Sequence, residues 1–414
     1  MGAIKSRIAE SDLRLADLLE QEENTQRNTL EMVASESVQS RELLELGGCI
    51  FNNKTAVGLP GHQRLKGTDV ADALERLTAE RACRVFGAEH ANVCTYSGSV
   101  ANYCVYAACM NPGDRAVALD ASAGSHQTHG GRNNISSKIY RFRYFGLHPE
   151  TYLIDYEAAE RLVWDYQPKL LVIGSGAYPR NIDFERFADL AHSVGAKLLV
   201  DIAHFTGLIA AGIGANPVPY ADVVSISGTK TMCGPHTGIL LCKQEMADAL
   251  DAQIYPGYIS SLHLQTIAAM AYALKRTETQ EFRDLMHRIV KNAKALCLAL
   301  QKRGFGILTG GTDCHMFWTD LRPLGADAAS FADRLDSIGI SVNTKGIPYD
   351  SSASPNGIRA GTIVLTQRGM NEDDMERVAD IWYRVATCPN EETLQWAKEE
   401  VAALTAAFPL PECD

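Results

Sequence analysis

Short apolar strands alternate with amphipathic helical segments over about residues 75–290 of this 414-residue chain, and this alternation restricts the possible folds more than any other feature. Apolar runs such as RAVALD, KLLVIGSGA, KLLVDIAH and ADVVSIS are separated by helical patterns such as ANYCVYAACM and FERFADLAHSVGA. Strands that alternate with helices indicate a doubly wound, mostly parallel sheet. Ligands of such sheets bind beyond the carboxyl ends of the strands. We therefore expect an α/β fold whose functional residues follow directly after strands.

Changes in this pattern predict three regions. Residues 8–23 suit an exposed charged helix, so we expect residues 1–30 to form an N-terminal helical arm that packs on a partner subunit. Residues 31–285 are predicted to form the large α/β domain. A long amphipathic helix from about residue 281 precedes shorter mixed elements, which predicts a smaller α+β domain over residues 286–414. An apolar content of 46% is enough for two cores in a chain of this length.

Composition excludes several classes of function. The net charge is -11 and there is no long basic run, which argues against a nucleic-acid partner. No apolar stretch is long enough to cross a bilayer and no leader-like segment precedes the charged N-terminus, so a cytoplasmic protein with no membrane association is expected. The 11 cysteines show no CxxC pair, which predicts reduced thiols and no metal site. Small molecules remain as the expected substrates.

Two polar residues follow neighbouring predicted strands, since Asp201 ends KLLVD and Lys230 closes the next strand unit. An amine and a carboxylate at one sheet edge suit pyridoxal phosphate, which needs a lysine to form an imine with its aldehyde and an acid to keep its pyridine nitrogen protonated. The pair alone also allows a simpler interpretation, in which Asp201 caps the following segment and Lys230 is a solvated surface lysine.

A phosphate site is predicted where Ser97, Gly98 and Ser99 open a helical segment after the strand-like ANVCTY. Hydroxyl groups and the N–H groups of a helix N-terminus converge on an anion at such a position. The order of this segment, Asp201 and Lys230 along the chain therefore favours the cofactor interpretation.

Other polar residues are candidates for the same site. His126 follows the strand RAVALD and could stack on a pyridine ring, although a structural surface histidine is the alternative; His129 is expected to be structural or to support the site indirectly. Arg359 in NGIRAGT suits bidentate capture of an amino-acid carboxylate. Ser35 and Glu36 are further candidates for this site, since they lie in the segment EMVASES, in which apolar and polar residues alternate abruptly.

A series of short motifs resembles a known family over nearly the whole chain. In order, they are LEMVASES, FNNK, GLPGH, SGSVAN, GSHQTHG, VDIAHFTGLIAAG, NPVPYADVV, TKT, VKNAKAL, GGTDCH and GIRAGT. They resemble the serine hydroxymethyltransferase family of fold type I pyridoxal-phosphate enzymes. The resemblance implies a large sheet domain that binds pyridoxal 5'-phosphate, a small C-terminal domain, and a homodimer with shared active sites.

The resemblance also implies roles for the matching residues. Those that would contact the cofactor are Ser97, Gly98, Ser99, His126, Asp201, His204, Lys230 and Gly257. Among these, Lys230 would bind the cofactor aldehyde, Asp201 would pair with the pyridine nitrogen, His126 would stack on the ring, and His204 would lie near the ring hydroxyl. These four are the predicted catalytic residues. Ser35 and Arg359 would hold the carboxylate of the substrate.

The chain departs from the family pattern in the region expected to contact the second substrate. The family segment K-Y-A-E-G-Y-P-G-x-R-Y-Y-G-G corresponds here to residues 54–67, where Val57 replaces the glutamate and Thr55, Leu59 and Leu65 replace tyrosines. In the family this glutamate is the acid/base group at the folate and hydroxymethyl end. An isopropyl group cannot transfer a proton, so Val57 cannot perform that role.

Further departures lie in other segments. Thr229 stands where the family usually has a histidine, and Gly176 where a serine is common. Residues 258–261 replace a glycine-rich segment through which a partner subunit reaches the phosphate, and residues 343–345 replace the region of an asparagine expected beside folate. The residues of cofactor chemistry are thus kept while the region of the second substrate is changed.

Three functions are compatible with these residues. The first is a folate-independent aldolase or transaldolase, which cleaves L-threonine or a related β-hydroxy amino acid and passes the glycyl unit to an aldehyde. The second is a folate-dependent hydroxymethyltransferase that acts on serine or α-methylserine. The third is a catalytically silent relative, against which the retention of both Lys230 and Asp201 argues. The expected partners are therefore small amino acids and aldehydes, and the sequence does not identify the aldehyde.

Overall fold

Residues 42–287 fold around a seven-stranded sheet in the computed structural model, which describes residues 2–350 and 355–411. The strands of the described residues are, in chain order, β1 (Leu30–Glu31), β2 (His90–Asn92), β3 (Arg115–Leu119), β4 (Arg141–Phe145), β5 (Leu170–Gly174), β6 (Lys197–Asp201), β7 (Val223–Ser227), β8 (Gly238–Cys242), β9 (Gly306–Ile307), β10 (Met316–Asp320), β11 (Ile340–Ser341), β12 (Asn343–Lys345) and β13 (Gly357–Gly361).

Helices connect most of these strands. In chain order they are α1 (Gly2–Ala9), α2 (Leu13–Asn28), α3 (Arg41–Gly47), α4 (Asp69–Phe86), α5 (Gly98–Cys109), α6 (Ile135–Ile139), α7 (Tyr156–Tyr166), α8 (Phe184–Ser193), α9 (Thr206–Ala210), α10 (Ala247–Ala252), α11 (Leu264–Arg276), α12 (Gln280–Lys302), α13 (Ala328–Ser337), α14 (Ile363–Gln367), α15 (Glu372–Thr387) and α16 (Glu391–Ala407).

The large sheet has the strand order β2-β8-β7-β6-β5-β3-β4. Strands β4, β3, β5, β6 and β7 are parallel to one another, and β8 is antiparallel to both of its neighbours. The prediction of a mostly parallel α/β sheet is confirmed. Strands β5, β7 and β8 are buried along their whole length, and β5 and β7 lie within the apolar runs of the sequence.

The ends of β5, β6 and β7 form the sheet edge that matters for the site. Gly174 pairs with Asp201, and Asp201 pairs with Ser225, so the last residues of β5 and β6 and the middle of β7 lie side by side. The apolar core of this unit is made of the strands together with α4, α5, α8 and α11.

A second unit contains residues 1–41 and 288–414. It contains an antiparallel sheet of order β12-β13-β10-β9 and a parallel pair of β1 with β11. In its core, Trp382 of α15 packs against Phe317 of the sheet and against Phe331 of α13. It is an α+β unit, as expected for the C-terminal domain.

The unit boundaries differ from those expected from the sequence. Residues 31–41 group with the C-terminal part of the chain and not with the large sheet, and the N-terminal residues 1–30 belong to the same unit. The N-terminal residues join this unit because Leu30 pairs with Ile340 and Glu31 pairs with Ser341. A strand of two residues has too short a pattern to be predicted from the sequence. The other boundary falls between His287 and Arg288.

Within the described ranges, none of the helices combines the length and the apolar character that a bilayer crossing requires.

Candidate active site

Lys230 lies in a closed loop that follows β7. Its backbone is in the left-handed region, with a φ of 58°, which costs a non-glycine residue on the order of 1–3 kcal/mol. The loop is closed because Gly228 N donates to Thr237 O at 3.0 Å and Gly234 N donates to Gly228 O at 2.8 Å. Strained backbone of this kind clusters at functional sites, so the conformation supports the predicted role of the lysine.

The threonines on either side of this lysine fasten the loop. Thr231 Oγ1 donates to His204 O at 2.9 Å and accepts from Gly207 N at 3.0 Å. Thr229 Oγ1 lies 2.9 Å from Ser227 Oγ. The loop is therefore attached both to the end of β7 and to the start of α9.

Asp201 ends β6, next to β7, and is only 7% exposed. Its Oδ2 accepts from Asn102 Nδ2 at 2.9 Å and lies 3.2 Å from His129 Nε2, while Oδ1 accepts from Ala203 N at 2.9 Å. Gly174 on β5 must lack a side chain here, because a Cβ atom would lie 2.7 Å from the Cβ of Asp201.

These contacts keep the carboxylate of Asp201 ionised. Burial alone would raise its pKa, but the His129 ring and the hydrogen bonds from Asn102 and Ala203 outweigh burial and hold the pKa of Asp201 well below its usual range. A buried carboxylate that stays charged is the group required to keep a pyridine nitrogen protonated.

Asn102 connects the elements of the site and was missed in the sequence. On α5 and fully buried, it donates from Nδ2 to Asp201 Oδ2 and to Thr128 Oγ1, and its Oδ1 accepts from Ser225 Oγ at 2.7 Å. It thereby joins α5, β6, β7 and the segment that carries His126. The available signal was the lone amide in the otherwise apolar helical stretch ANYCVYAAC, since a buried amide needs partners.

The three residues predicted to hold a phosphate lie at the N-terminus of α5. Ser97 is the N-cap and its Oγ accepts from Val100 N at 3.2 Å, while Gly98 and Ser99 are the first two residues of the helix. The N–H groups of a first helical turn have no partner within the helix and attract anions. Gly238 on β8 lets this turn approach the sheet, because a Cβ atom there would lie 2.5 Å from Ser97 O.

The two histidines of the GSHQTHG motif differ in environment. His126 is exposed, and its Nδ1 lies 2.8 Å from Thr128 Oγ1. His129 is buried between Asp201 and Tyr106, whose hydroxyl lies 2.6 Å from His129 Nδ1. His126 is thus the ring available to a ligand, and His129 supports the carboxylate.

The remaining cofactor candidates of this unit lie in two different segments. His204 is buried, three residues after the end of β6. Gly257 is exposed in the irregular helical segment Gln253–Tyr258.

These residues fit pyridoxal phosphate. A charged carboxylate lies at the sheet edge, and its Oδ1, which accepts one described hydrogen bond, can accept a second from a ring N–H. Lys230 offers the amine for the aldehyde, and the start of α5 offers hydroxyl and N–H groups to the phosphate. By contrast, the described residues contain no group of three or more His, Cys, Asp or Glu side chains suited to a metal ion.

Ser35 and Arg359 belong to the other unit, where their segments lie together. Arg359 is in the middle of β13, paired with Trp318 of β10 and with Asn343 of β12. The segment before Ser35 is attached to the end of the same strand, because Gly361 N donates to Met32 O at 2.8 Å. Burial lowers the pKa of Arg359, a desolvation that a bound carboxylate would offset.

The two altered segments of the large unit contact each other. Leu262 N donates to Ala56 O at 3.1 Å, and Val57 forms an antiparallel bridge with Ser261. Tyr96, next to the N-cap of α5, donates its hydroxyl to Ser261 O and stacks on His263 with a centroid distance of 4.2 Å. These two altered segments therefore form one continuous region beside the predicted phosphate site.

A comparison with family models agrees with the fold. The model of serine hydroxymethyltransferase matches residues 8–382, which is most of the chain and covers the larger part of each unit. The matched range contains every predicted site residue and also both altered segments. The chain therefore belongs to the serine hydroxymethyltransferase family, whose members are pyridoxal-phosphate-dependent transferases that act on small amino acids.

Proposed function

We propose that this protein is a folate-independent aldolase or transaldolase, which cleaves the Cα–Cβ bond of L-threonine or a related β-hydroxy-α-amino acid and passes the glycyl unit to an aldehyde. The observation that carries the proposal is Val57, which cannot transfer a proton where the family has a glutamate. The alternative is a folate-dependent hydroxymethyltransferase acting on serine or α-methylserine. We further propose that the enzyme is a homodimer in which Gly257 reaches the active site of the neighbouring subunit.

Bound pyridoxal phosphate would supply an electron-poor ring that stabilises the negative charge left on Cα when a bond to it breaks. Asp201 would hold a proton on the pyridine nitrogen of that ring, and Lys230 would hold the cofactor through its Nζ atom. His126 would cover one face of the ring. The first turn of α5 would bind the phosphate through N–H groups that the helix itself leaves unpaired.

Orientation of the amino acid would come from its carboxylate. Arg359 would bind it with two charge-assisted hydrogen bonds, helped by Ser35. The bond that breaks is the one held perpendicular to the ring, so these anchors would decide between Cα–Cβ cleavage and loss of another group.

The altered region supports a new acceptor. We call residues 55–67 the acceptor-side loop. Its side chains Leu59 and Leu65 are half-buried and 41% exposed, respectively, so the loop presents apolar surface at positions where the family has tyrosine hydroxyls.

In the proposed transfer, the Cα–Cβ bond of threonine breaks and acetaldehyde leaves after its hydroxyl group has lost its proton. A new bond from Cα to the carbonyl carbon of the acceptor forms, and the acceptor oxygen takes up a proton, so no oxidant or reductant is needed.

Tetrahydrofolate should not be required for this enzyme. With L-threonine, we expect glycine and acetaldehyde release to change by less than about twofold when tetrahydrofolate is added, because no transition-state contact depends on it. Serine should turn over slowly with or without it. The measurement is a coupled assay for acetaldehyde, together with mass spectrometry of ¹³C-glycyl transfer from labelled threonine to benzaldehyde. Strong stimulation of serine turnover by tetrahydrofolate would instead establish the hydroxymethyltransferase alternative.

Replacing Arg359 with alanine should weaken amino-acid binding by about a hundredfold, the loss expected for two charge-assisted hydrogen bonds. Arg359→Lys should recover only part of it, because an ammonium group cannot bind a carboxylate in a bidentate manner. The readout is the change in cofactor absorbance on titration with glycine. Arg322→Ala is the control, since this exposed arginine of the same unit pairs with Asp320. Unchanged glycine affinity in Arg359→Ala would show that the anchor lies elsewhere.

A further inference from the structure

Glu75 and Cys94 form a buried pair that the proposed chemistry does not use. Glu75 on α4 is 2% exposed and Cys94, just after β2, is 7% exposed. Cys94 Sγ donates to Glu75 Oε2 at 3.1 Å, and Gln63 Nε2 donates to Glu75 Oε1 at 3.2 Å. Each carboxylate oxygen thus accepts one hydrogen bond, one from the sheet side and one from the acceptor-side loop.

The same face of α4 makes a second contact with this loop. Gly61 N donates to Asp72 Oδ2 at 2.6 Å, and Asp72 lies one helical turn before Glu75. The loop is also folded on itself, because Arg64 N donates to Val57 O at 2.8 Å. Two acidic residues of α4 therefore hold the segment that places Val57, Leu59 and Leu65.

A cavity of about 440 Å³ lies between the loop and α4. Leu59 and Pro60 line it from the loop, and Glu75 and Cys94 line it from the protein interior. The cavity has room for water, so a proton can reach the Glu75 carboxyl although the residue is buried.

Glu75 would titrate in the neutral range. Burial raises the pKa of Glu75, and the nearby charge of Asp72 raises it further. Hydrogen bonds from Cys94 and Gln63 and the charge of Arg76 lower it. Together these effects place the pKa at about 7. Burial raises the pKa of Cys94 well above its usual value, so this group remains a thiol and a donor. The other titratable groups that line the cavity are Glu80, Cys83, Glu89, His90 and Asp251.

We propose that Glu75 is the positioning residue of the acceptor-side loop, fastening the loop when its carboxylate is ionised and loosening it when it takes up a proton. A carboxylate accepts at both oxygens, whereas the neutral acid carries its proton on one of them, and a proton on Oε1, the oxygen that faces the loop, replaces the contact with Gln63 Nε2. The consequence for aldehyde binding rests on the proposed function, but the fastening of the loop can be measured without it.

Limited trypsin digestion tests the fastening directly, because Arg64 and Lys66 are exposed in the loop. At pH 8, Glu75→Gln should be cut there about threefold to tenfold faster than the unaltered protein, the range expected for one lost hydrogen bond. At pH 6 the two should be cut at similar rates. Comparison at equal pH removes the pH dependence of trypsin. Glu80→Gln makes the same chemical change on the cavity wall and should be cut like the unaltered protein.

Kinetics test the consequence for the acceptor. KM for benzaldehyde should fall by about threefold to tenfold as the pH rises through about 7, again the effect of one hydrogen bond. Cys94→Ser offers a stronger donor to the carboxylate and should move this inflection to lower pH, while Cys94→Ala removes the donor and should move it to higher pH. KM for threonine should not follow these shifts. His90→Gln should keep the inflection, which excludes the titration of that histidine as its cause.

Equal cleavage of Glu75→Gln and the unaltered protein at pH 8 would overturn the inference, as would an inflection that the Cys94 variants leave in place. If the unaltered enzyme transfers no glycyl unit to any aldehyde, the proposed function fails, and the digestion alone then decides whether Glu75 fastens the loop.

Discussion

Lys230→Ala should abolish the visible absorbance band of the bound cofactor and reduce threonine cleavage on the order of a thousandfold or more, since the variant loses both the covalent anchor and an amine that can move protons. The fold should remain, because the loop around residue 230 is closed by backbone contacts between Gly228, Thr237 and Gly234. Absorbance spectra, turnover and circular dichroism of the same preparation would check all three expectations.

A matched lysine controls for the loss of charge. Lys169 is exposed just before β5, and Lys169→Ala should keep both the absorbance band and the activity. Borohydride reduction followed by peptide mapping should place the cofactor on Lys230. A label on any other lysine would refute the whole assignment of the site.

Asp201→Asn should retain the cofactor and lose turnover by about a hundredfold or more. A neutral amide no longer stabilises the proton on the pyridine nitrogen, and each unit by which the pKa of that nitrogen falls corresponds to about a tenfold change in protonation. Reconstitution with cofactor labelled with ¹⁵N in the ring allows the protonation state to be read by NMR, separately from activity.

Asp222→Asn is the control for this variant. Asp222 is also a buried carboxylate with charged neighbours: its Oδ2 lies 2.9 Å from His192 Nε2 and its Oδ1 lies 3.0 Å from Lys197 Nζ. It directly precedes β7, however, and so lies at the amino-terminal ends of the parallel strands, away from Asp201. Its variant should lose stability without losing the activity of the folded fraction. An Asp201→Asn enzyme with undiminished turnover would mean that another group protonates the ring.

The strands that carry the site were predictable because they are buried on both faces. Strands β3, β5, β6 and β7 coincide with the apolar runs identified in the sequence, and the residues after them could be placed at one edge. The pattern did not identify β4, whose sequence RFRYF is mostly exposed and carries charges at an edge of the sheet. It also did not identify β8, which follows a loop rich in glycine and returns antiparallel to β7.

The contacts within the site were less predictable than its position. Lys230 and Asp201 could be expected from strand ends and residue chemistry, whereas Asn102 links α5 to three other parts of the chain that are distant in sequence. Residues 31–41 likewise belong to the second unit because β1 pairs with β11. The sequence near residue 31 does not reveal a partner strand that lies about 300 residues away.

The docking of residues 55–67 on residues 256–263 has a consequence for redesign. Because Ala56 and Val57 share backbone contacts with Leu262 and Ser261, neither segment presents an independent surface for exchange with a relative. Contacting positions of this kind act as a unit, so Val57→Glu alone should not create folate dependence. A redesign would have to replace residues 55–67 and residues 256–263 together. The same holds for evolution of a new second substrate in this family, since a change in one segment requires a matching change in the other.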